Sequence, residues 1–235
     1  MLTSNSSGIG GYHGGVKNVR VVISSLLVFA ACSSGPSLVA TPGAIGFDSD
    51  LVGWQAGSTG GTGEHASWEQ GADKAPVSPP NVLAITSINH KSESRFNLFW
   101  TQQLRFQDGS VAVAVRADDG VIDQGGGPMW RVQDQDNYYV CRFNPLEANY
   151  RVYVVEGGVR RQLGTALAAV TAGKWHRIEV QHAGDHIQCW LDGQKLLDVH
   201  DGTIPHVGGV GLWTKADART SFDDLLVNSS LVENR

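Results

Sequence analysis

The chain has 235 residues, a length that suits one β-rich domain together with an export segment. Charged residues make up only 17% of the chain and glycines number 29, a balance typical of many strands and turns rather than long helices. The formal net charge is −5 and no basic stripe occurs, so we expect no nucleic-acid partner.

The chain begins with a segment typical of protein export. Lys17 and Arg20 precede the apolar run Val21–Ala31, which is too short to span a bilayer as a permanent helix. We therefore interpret residues 1–31 as a signal segment. Residues 1–15 are polar and rich in glycine, which fits no part of a signal and suggests that translation starts at the residue after them.

A cysteine follows the signal segment directly. Cys32 comes after Phe29-Ala30-Ala31, a pattern that resembles the bacterial lipobox, where a lipid is attached to the thiol and the chain is cut before it. We expect residues 32–42 to be this lipidated cysteine and a flexible tether, so that a lipid anchor holds the protein in the cell envelope, in the periplasm or at the cell surface. An ordinary cleaved signal with a chance cysteine is the alternative.

Residues 43–228 form one predicted domain, followed by a tail at 229–235. Segments in which apolar and polar residues alternate recur at short spacing, with Gly, Asp and Pro between them. The predicted strands are Ser110–Ala117, Tyr138–Phe143, Tyr150–Val155, Val159–Leu163, Lys174–Gln181, His186–Leu191, Gln194–Val199, Val207–Trp213 and Arg219–Val227. Such a row of short antiparallel strands predicts an all-β fold built as a two-sheet sandwich.

The stretch before these strands, Gly53–Pro80, is rich in Gly, Ser, Thr and Pro. We interpret it as a long ordered loop with one or two short strands, and loops this long are usually functional or mobile. At the rim of a sandwich, Trp54 or Trp68 would lean over a groove. Alternatively both tryptophans seal the edge of the sandwich, which the alternating residues around Trp68 favour for that residue.

The segment Met129–Tyr153 concentrates aromatic, amide and charged side chains on and between two predicted strands. Buried strands alone would not need so many of them. A sugar offers hydroxyls to bidentate groups and flat C–H faces to aromatic rings, so the segment suits a carbohydrate-binding surface. The candidate ligand-binding residues are Trp130, Arg131, Gln133, Tyr138, Arg142, Asn144 and Asn149.

Alternation along the predicted strand Tyr138–Phe143 orients one of these candidates. If Cys141 points into the core, Tyr138 and Arg142 point out together, onto what would be a groove floor. There Arg142 with Glu147 or Asp134 could hold sugar hydroxyls through forked hydrogen bonds. A salt bridge that needs no ligand is an equal alternative.

Three stretches carry a resemblance to a known family: Arg131–Tyr139, Asn144–Asn149 and Val210–Val227. They resemble the bacterial secreted family called DUF1080, or 3-keto-disaccharide hydrolase domain, and the similarity runs from about Phe47 to Val227. The resemblance implies a concanavalin A-like jelly roll of a kind often labelled a family 16 glycoside hydrolase, with carbohydrate as its partner. It transfers no catalytic set onto these residues.

Cleavage of a glycoside needs two carboxyl groups on opposite sides of the scissile bond. The chain has no E-x-D-x-E motif, so the candidate catalytic acids are ones scattered over loops and strand ends, Asp123, Asp134 and Glu147. Each is alternatively a turn residue that bonds nearby backbone. On a 3-keto sugar, elimination would instead need a base and an oxyanion stabiliser, and no histidines have a recognised metal-ligand spacing.

We expect no metal and no cofactor, although a calcium ion held by loop carboxylates at Asp118, Asp119 and Asp123 stays open beside the interpretation of these acids as solvated turn residues. Two functions also stay open. The chain is a monomeric cell-envelope domain that binds or processes glycans, including hydrolysis of glycosidic bonds of 3-keto-glycosides, or it is a non-catalytic structural or adhesion module. Carboxylates converging in a groove would favour an enzyme, and a groove filled by its own side chains would favour the module.

Overall fold

A computed structural model of the chain describes residues 44–62, 65–87 and 93–230. The predicted signal segment, Cys32 and its tether lie outside the described residues, as does the end of the predicted tail. Within the described ranges every regular element is a strand, and no helix there is long and apolar enough to cross a membrane.

The strands are β1 (Trp54–Thr59), β2 (Ser67–Ala72), β3 (Asn81–Ser87), β4 (Phe96–Phe106), β5 (Asp108–Asp119), β6 (Gly127–Asp134), β7 (Asn137–Asn144), β8 (Asn149–Glu156), β9 (Val159–Leu167), β10 (Trp175–Ala183), β11 (His186–Leu191), β12 (Gln194–His200), β13 (Gly208–Lys215) and β14 (Arg219–Ser230). The first sheet has the order β1-β4-β13-β6-β7-β8-β9, and the second has the order β12-β11-β10-β5-β14-β3-β2. All pairs are antiparallel, which confirms the predicted two-sheet β-sandwich.

The main core lies between the two sheets. Tyr139, Cys141 and Phe143 of β7 point into it, where they join Val113 of β5 and Ile178 of β10. These side chains are fully buried, and each large apolar side chain removed from water stabilises the fold by about 2 kcal/mol. The predicted orientation of Cys141 is therefore confirmed, and the even-numbered residues of β7 face the other way.

The outer face of the first sheet carries a second apolar cluster. Tyr138 and Val140 alternate with the core residues of β7 and therefore lie on this opposite face. The cluster consists of Phe96, Leu98, Trp100, Met129, Val132, Tyr138, Val140, Tyr153, Val155 and Trp213. All ten are buried, so this face is not a flat solvent-exposed surface.

The first sheet curls toward that outer face. Arg160 lies on the edge strand β9, five places away from β4 in the sheet, or about 24 Å across a flat sheet. Its guanidinium nevertheless lies 4.8 Å from the ring centroid of Phe96 on β4. An arginine side chain cannot bridge a flat sheet of that width, so we call this outer surface the concave face.

The glycine-rich stretch Gly53–Pro80 contains β1 and β2, and its tryptophans close the edge of the sandwich. Trp54 and Trp68 stack on either side of Phe99, with ring centroids 5.3 Å and 5.5 Å away. Both pack against the main core. The alternative in which they seal the edge is therefore the one that the structure shows.

Candidate functional site

A buried arginine organises one end of the concave face. Arg142, at the end of β7, is 2% exposed. Its guanidinium donates hydrogen bonds to Oδ1 of Asn149, to Oε2 of Glu147 at 3.2 Å and to the hydroxyl of Tyr153 at 3.2 Å. Charged and amide partners therefore fix the plane of this guanidinium above the sheet.

The Asn-Pro connection between β7 and β8 places Glu147. The side-chain oxygen of Asn144 accepts hydrogen bonds from the backbone N–H groups of Leu146, at 2.9 Å, and of Glu147, at 3.3 Å. Asparagine commonly builds such a turn by bonding backbone groups two and three residues ahead. The turn returns the chain so that Asn149 faces Asn144 across the strand pair.

Asp123 reaches the same end of the concave face from the loop between β5 and β6. Its carboxylate accepts hydrogen bonds from Nδ2 of Asn144 and from Nζ of Lys215, both at 3.0 Å. Asp217 holds the loop by accepting from the backbone N–H groups of Val121, at 2.8 Å, and Asp123, at 2.9 Å. Asp217 therefore caps backbone groups of this loop.

We call this set the polar cluster, and it consists of Asp123, Arg142, Asn144, Glu147, Asn149 and Lys215. Its two carboxyl groups have opposite electrostatic environments. Burial raises the pKa of Asp123, although Lys215 and Arg142 oppose the change. A hydrogen bond from Asn149, at 2.7 Å, holds the pKa of Glu147 below its usual value, with help from Arg142 and Arg151. Two carboxyl groups whose pKa values are shifted in opposite directions are typical of acid–base sites.

Beside the polar cluster, an arginine lies on three aromatic rings. The guanidinium carbon of Arg160 is 4.4 Å from the ring centroid of Tyr153, 4.8 Å from that of Phe96 and 5.8 Å from that of Trp213. Burial lowers the pKa of Arg160, and the charge of Arg142 lowers it further. Arg160 and Tyr153 were not among the sequence candidates, although both follow the period-2 pattern of the strands that carry them.

Two predicted ligand-binding residues belong to the inside of the sandwich instead. Trp130 is fully buried in the main core, where its Nε1 donates to Nδ1 of His182 at 2.9 Å. Arg131 is also fully buried and donates to the backbone oxygens of Gln107 and Ile204 and to Asp108. Their prediction as ligand contacts is corrected, because Trp130 is enclosed in the core and the guanidinium nitrogens of Arg131 already donate to groups of the chain itself.

Gln133, Asp134 and Tyr138 lie away from the polar cluster. Gln133 donates to backbone carbonyls, the nearest that of Arg131 at 3.1 Å. Asp134 accepts from the backbone N–H of Asp136 at 2.8 Å and forms the turn before β7, so the length of β7, about 26 Å, separates it from Glu147. Asp134 therefore cannot be the partner of Glu147 in catalysis, and the turn interpretation of Asp134 is the one that the structure shows.

Tyr138 does lie on the concave face, as predicted, but its hydroxyl is already satisfied. It exchanges a hydrogen bond with Oγ1 of Thr59 at 2.9 Å and accepts one from Nε1 of Trp213 at 3.3 Å. Burial raises the pKa of the phenol. Tyr138 therefore contributes to the floor of this face and not to its polar groups.

The three acids suggested for calcium do not converge. Ser221 donates to Asp118 at 2.5 Å, the backbone N–H of Gly120 donates to Asp119 at 2.8 Å, and Asp123 belongs to the polar cluster. In the described part of the chain, no group of three His, Cys, Asp or Glu side chains could hold a metal ion.

A hollow of about 370 Å³ lies on the outer face of the second sheet. Polar residues of four neighbouring strands line it, among them Ser110, Gln181, Gln188 and Asn228. Among its described lining residues are no carboxylate and no Trp, Tyr or Phe. The chemistry that the sequence predicts is therefore gathered on the concave face and not in this hollow.

Solved structures share this fold. A carbohydrate-binding module, CBM66 from Bacillus subtilis, matches with a TM-score of 0.58 and 16% identity over 74% of this chain and 93% of that chain. The Bacillus licheniformis beta-glucanase matches with a TM-score of 0.56 and 11% identity over 80% and 97%. Cellulose induced protein Cip1 matches with a TM-score of 0.57 and 16% identity over 80% and 97%. At such low identity the likeness concerns the fold alone, and it confirms the predicted jelly roll.

No curated protein matches the chain. The family model described as the 3-keto-alpha-glucoside-1,2-lyase-like domain, in contrast, matches residues 46–228, which include the whole polar cluster and both sheets except the last two residues of β14. This match confirms the resemblance that the three sequence stretches indicated. The chain belongs to the 3-keto-alpha-glucoside-1,2-lyase-like domain family.

Proposed function

We propose that the concave face of the first sheet binds a glycan through the polar cluster. The observation that supports this most is the meeting of Arg142, Glu147 and Asn149 beside aromatic rings. Hydroxyls of a sugar pair with carboxylate, amide and guanidinium groups. Family membership and the jelly-roll fold of a carbohydrate-binding module are consistent with this function.

Three members of this surface are open to a ligand. The side chain of Glu147 is 44% exposed, that of Arg151 is 31% exposed and that of Lys215 is 20% exposed. The deeper members, Arg142 and Asp123, hold these exposed groups in place through ion pairs. A sugar would therefore first meet Glu147, Arg151 and Lys215.

Titration of the full chain with a panel of oligosaccharides, read by calorimetry, tests this proposal. Replacing Glu147 with Gln removes the exposed charge, and the affinity for a bound glycan should fall about tenfold, the effect of losing a charge-assisted hydrogen bond. Glu156→Gln, an exposed acid at the far end of β8, is the matched control and should bind like the parent. Equal affinity of the parent and Glu147→Gln would remove the site from the concave face.

A second candidate function is cleavage, and the opposite pKa shifts of Asp123 and Glu147 favour it. On a 3-keto-glycoside, Glu147 would take the acidic proton next to the ketone. The electron pair would form the enolate, whose oxygen Arg142 or Lys215 would stabilise, and then expel the glycosidic oxygen, which Asp123 would protonate. Loss of sugar release from 3-keto-glucosides in Glu147→Gln, with release retained in Glu156→Gln, is the expected result.

A non-catalytic structural module is the other alternative, and the position of Arg160 favours it. The guanidinium lies on the rings of Phe96, Tyr153 and Trp213, where the face of a sugar would otherwise pack. Failure of every glycan to bind or to be cleaved by the parent would leave this function in place of the first two.

We also propose that a lipid on Cys32 anchors the protein in the cell envelope and that the exported domain is a monomer. The lipobox-like pattern before Cys32 supports the anchor. When Cys32 is replaced by Ala, the protein should move from the detergent phase to the aqueous phase. Light scattering of that variant should give the mass of one chain. If the parent and the Cys32→Ala variant partition alike, Cys32 carries no lipid, as expected of an ordinary cleaved signal.

A further inference from the structure

Positive charge exceeds negative charge around the polar cluster. Arg142, Arg151 and Arg160 line the β7–β9 side of the concave face, and Lys215 lies on β13. Asp123 pairs with Lys215, while Glu147 is shared between Arg142 and Arg151. Among the described residues Arg160 has no ion pair, so two cations of the four lack a carboxylate of their own.

Two guanidinium nitrogens on this face lack a hydrogen-bond acceptor. Within the described ranges, Nε of Arg142 and Nη1 of Arg160 are buried and have no partner. Arg142 as a whole is 98% buried, as its 2% exposure shows. Buried polar groups in native proteins are almost always paired, and an unpaired charged donor is unfavourable. Such donors therefore indicate an acceptor that the chain itself does not supply.

The rings hold one of these donors in place. Phe96, Tyr153 and Trp213 surround the guanidinium of Arg160, and Phe96 and Trp213 themselves pack with centroids 5.2 Å apart. Stacked in this way, Arg160 has lost much of its hydration and little freedom remains to lose on binding. The charge of Arg142 disfavours that of Arg160, so an anion near both would stabilise both.

We propose that the glycan taken by the concave face carries a carboxylate, as a uronic acid unit does, and that this group binds between Arg142 and Arg160. The inference rests on the proposed glycan-binding function and names its ligand class. A carboxylate is planar and accepts two parallel N–H bonds from guanidinium groups, which a neutral hydroxyl cannot do. The sugar ring next to it would contact the exposed side chain of Glu147.

Competition between matched sugars tests the ligand class without any substitution. The full chain is titrated with an oligogalacturonide, with its methyl ester and with the neutral galactose oligomer of the same length. The acidic oligomer should bind at least about tenfold more tightly than either, since charge-assisted hydrogen bonds are lost in both. The preference should shrink only modestly as salt rises, because salt screens buried charge pairs much less than exposed ones.

Each other outcome overturns the inference in a distinct way. Equal binding of acidic and neutral oligomers would leave the proposed glycan function in place and reject the carboxylate. Binding of acetate or inorganic phosphate as tightly as the oligogalacturonide would reduce the site to one for small anions. Absence of binding by any saccharide would reject the inference together with the proposed function.

Paired arginine variants locate the effect. Arg160→Gln should remove the preference for the acidic oligomer, whereas Arg161→Gln should keep it. Arg161 is the neighbouring arginine, 56% exposed and paired with Asp201 at 2.8 Å, so it is a matched control for charge. Thermal melting followed by circular dichroism checks that both variants fold. A folded Arg160→Gln protein with the full preference would contradict the proposal.

Discussion

At the scale of single residues, Asp217 shows how one carboxylate positions another. It accepts hydrogen bonds from the backbone N–H groups of Val121, Ile122 and Asp123, at 2.8 to 3.0 Å. Asp217 is itself 4% exposed, so water cannot readily take its place. The loop that presents Asp123 to Lys215 therefore depends on an acid outside the polar cluster.

Replacing Asp217 with Ala should lower the free energy of unfolding by about 2–3 kcal/mol, because three backbone donors lose their acceptor. Urea denaturation measures the change. Asp50→Ala, at an exposed position, is the control and should stay within about 0.5 kcal/mol of the parent. Equal unfolding midpoints of Asp217→Ala and the parent would show that the loop holds without it.

At the scale of elements, close approach of neighbouring strands shapes the site. β6 lies between β13 and β7, and Gly127 begins it. A Cβ added to Gly127 would lie 1.9 Å from the backbone oxygen of Cys141 on β7. Only glycine allows β6 to approach β7, the strand that carries Arg142, so closely.

Gly127→Ala should therefore destabilise the fold by at least about 2 kcal/mol, since the backbone of β7 would have to move. Gly71→Ala on β2 is a matched control, because an added Cβ there meets nothing within 4 Å. Thermal melting of the two variants compares them. A Gly127→Ala melting temperature equal to that of Gly71→Ala would contradict the packing described for β6.

The strands also show what sequence alone can and cannot predict. Strand β7 was predicted because core and concave-face residues alternate around Arg142, and the Asn-Pro turn brought Glu147 and Asn149 to it. Strand β6 and the first half of β4, up to Thr101, were missed because residues on both of their faces are buried, which leaves no polar face to alternate. Without a strand prediction for β6, nothing in the sequence showed that Trp130 points into the core.

At the scale of the whole molecule, a buried histidine links the two sheets. His182 of β10 is 1% exposed, accepts the hydrogen bond of Trp130 and contacts the ring of Tyr139 edge-on at 5.2 Å. Burial lowers its pKa to about 3, and the charge of Arg131 contributes to the shift. The unfolded chain would bind a proton at this histidine at mildly acidic pH, where the folded chain would not.

Stability should consequently fall as the pH is lowered from about 6.5 toward 4, by about 1.4 kcal/mol per pH unit from this residue. Asp223, whose pKa burial raises to about 6, works in the opposite direction over part of this range. The measurement is therefore the difference in the free energy of unfolding between the parent and His182→Gln, obtained by urea denaturation at several pH values. The parent should lose stability relative to the variant as the pH falls, and parallel curves would contradict the buried neutral histidine.

The concave face as a glycan site is tested most directly by nuclear magnetic resonance of the arginine side chains. On addition of a saturating oligogalacturonide to the labelled full chain, the Nε–Hε signals of Arg142 and Arg160 should shift, while that of Arg116 on the second sheet should stay in place. A shift of the Arg116 signal, with those of Arg142 and Arg160 unchanged, would contradict the account.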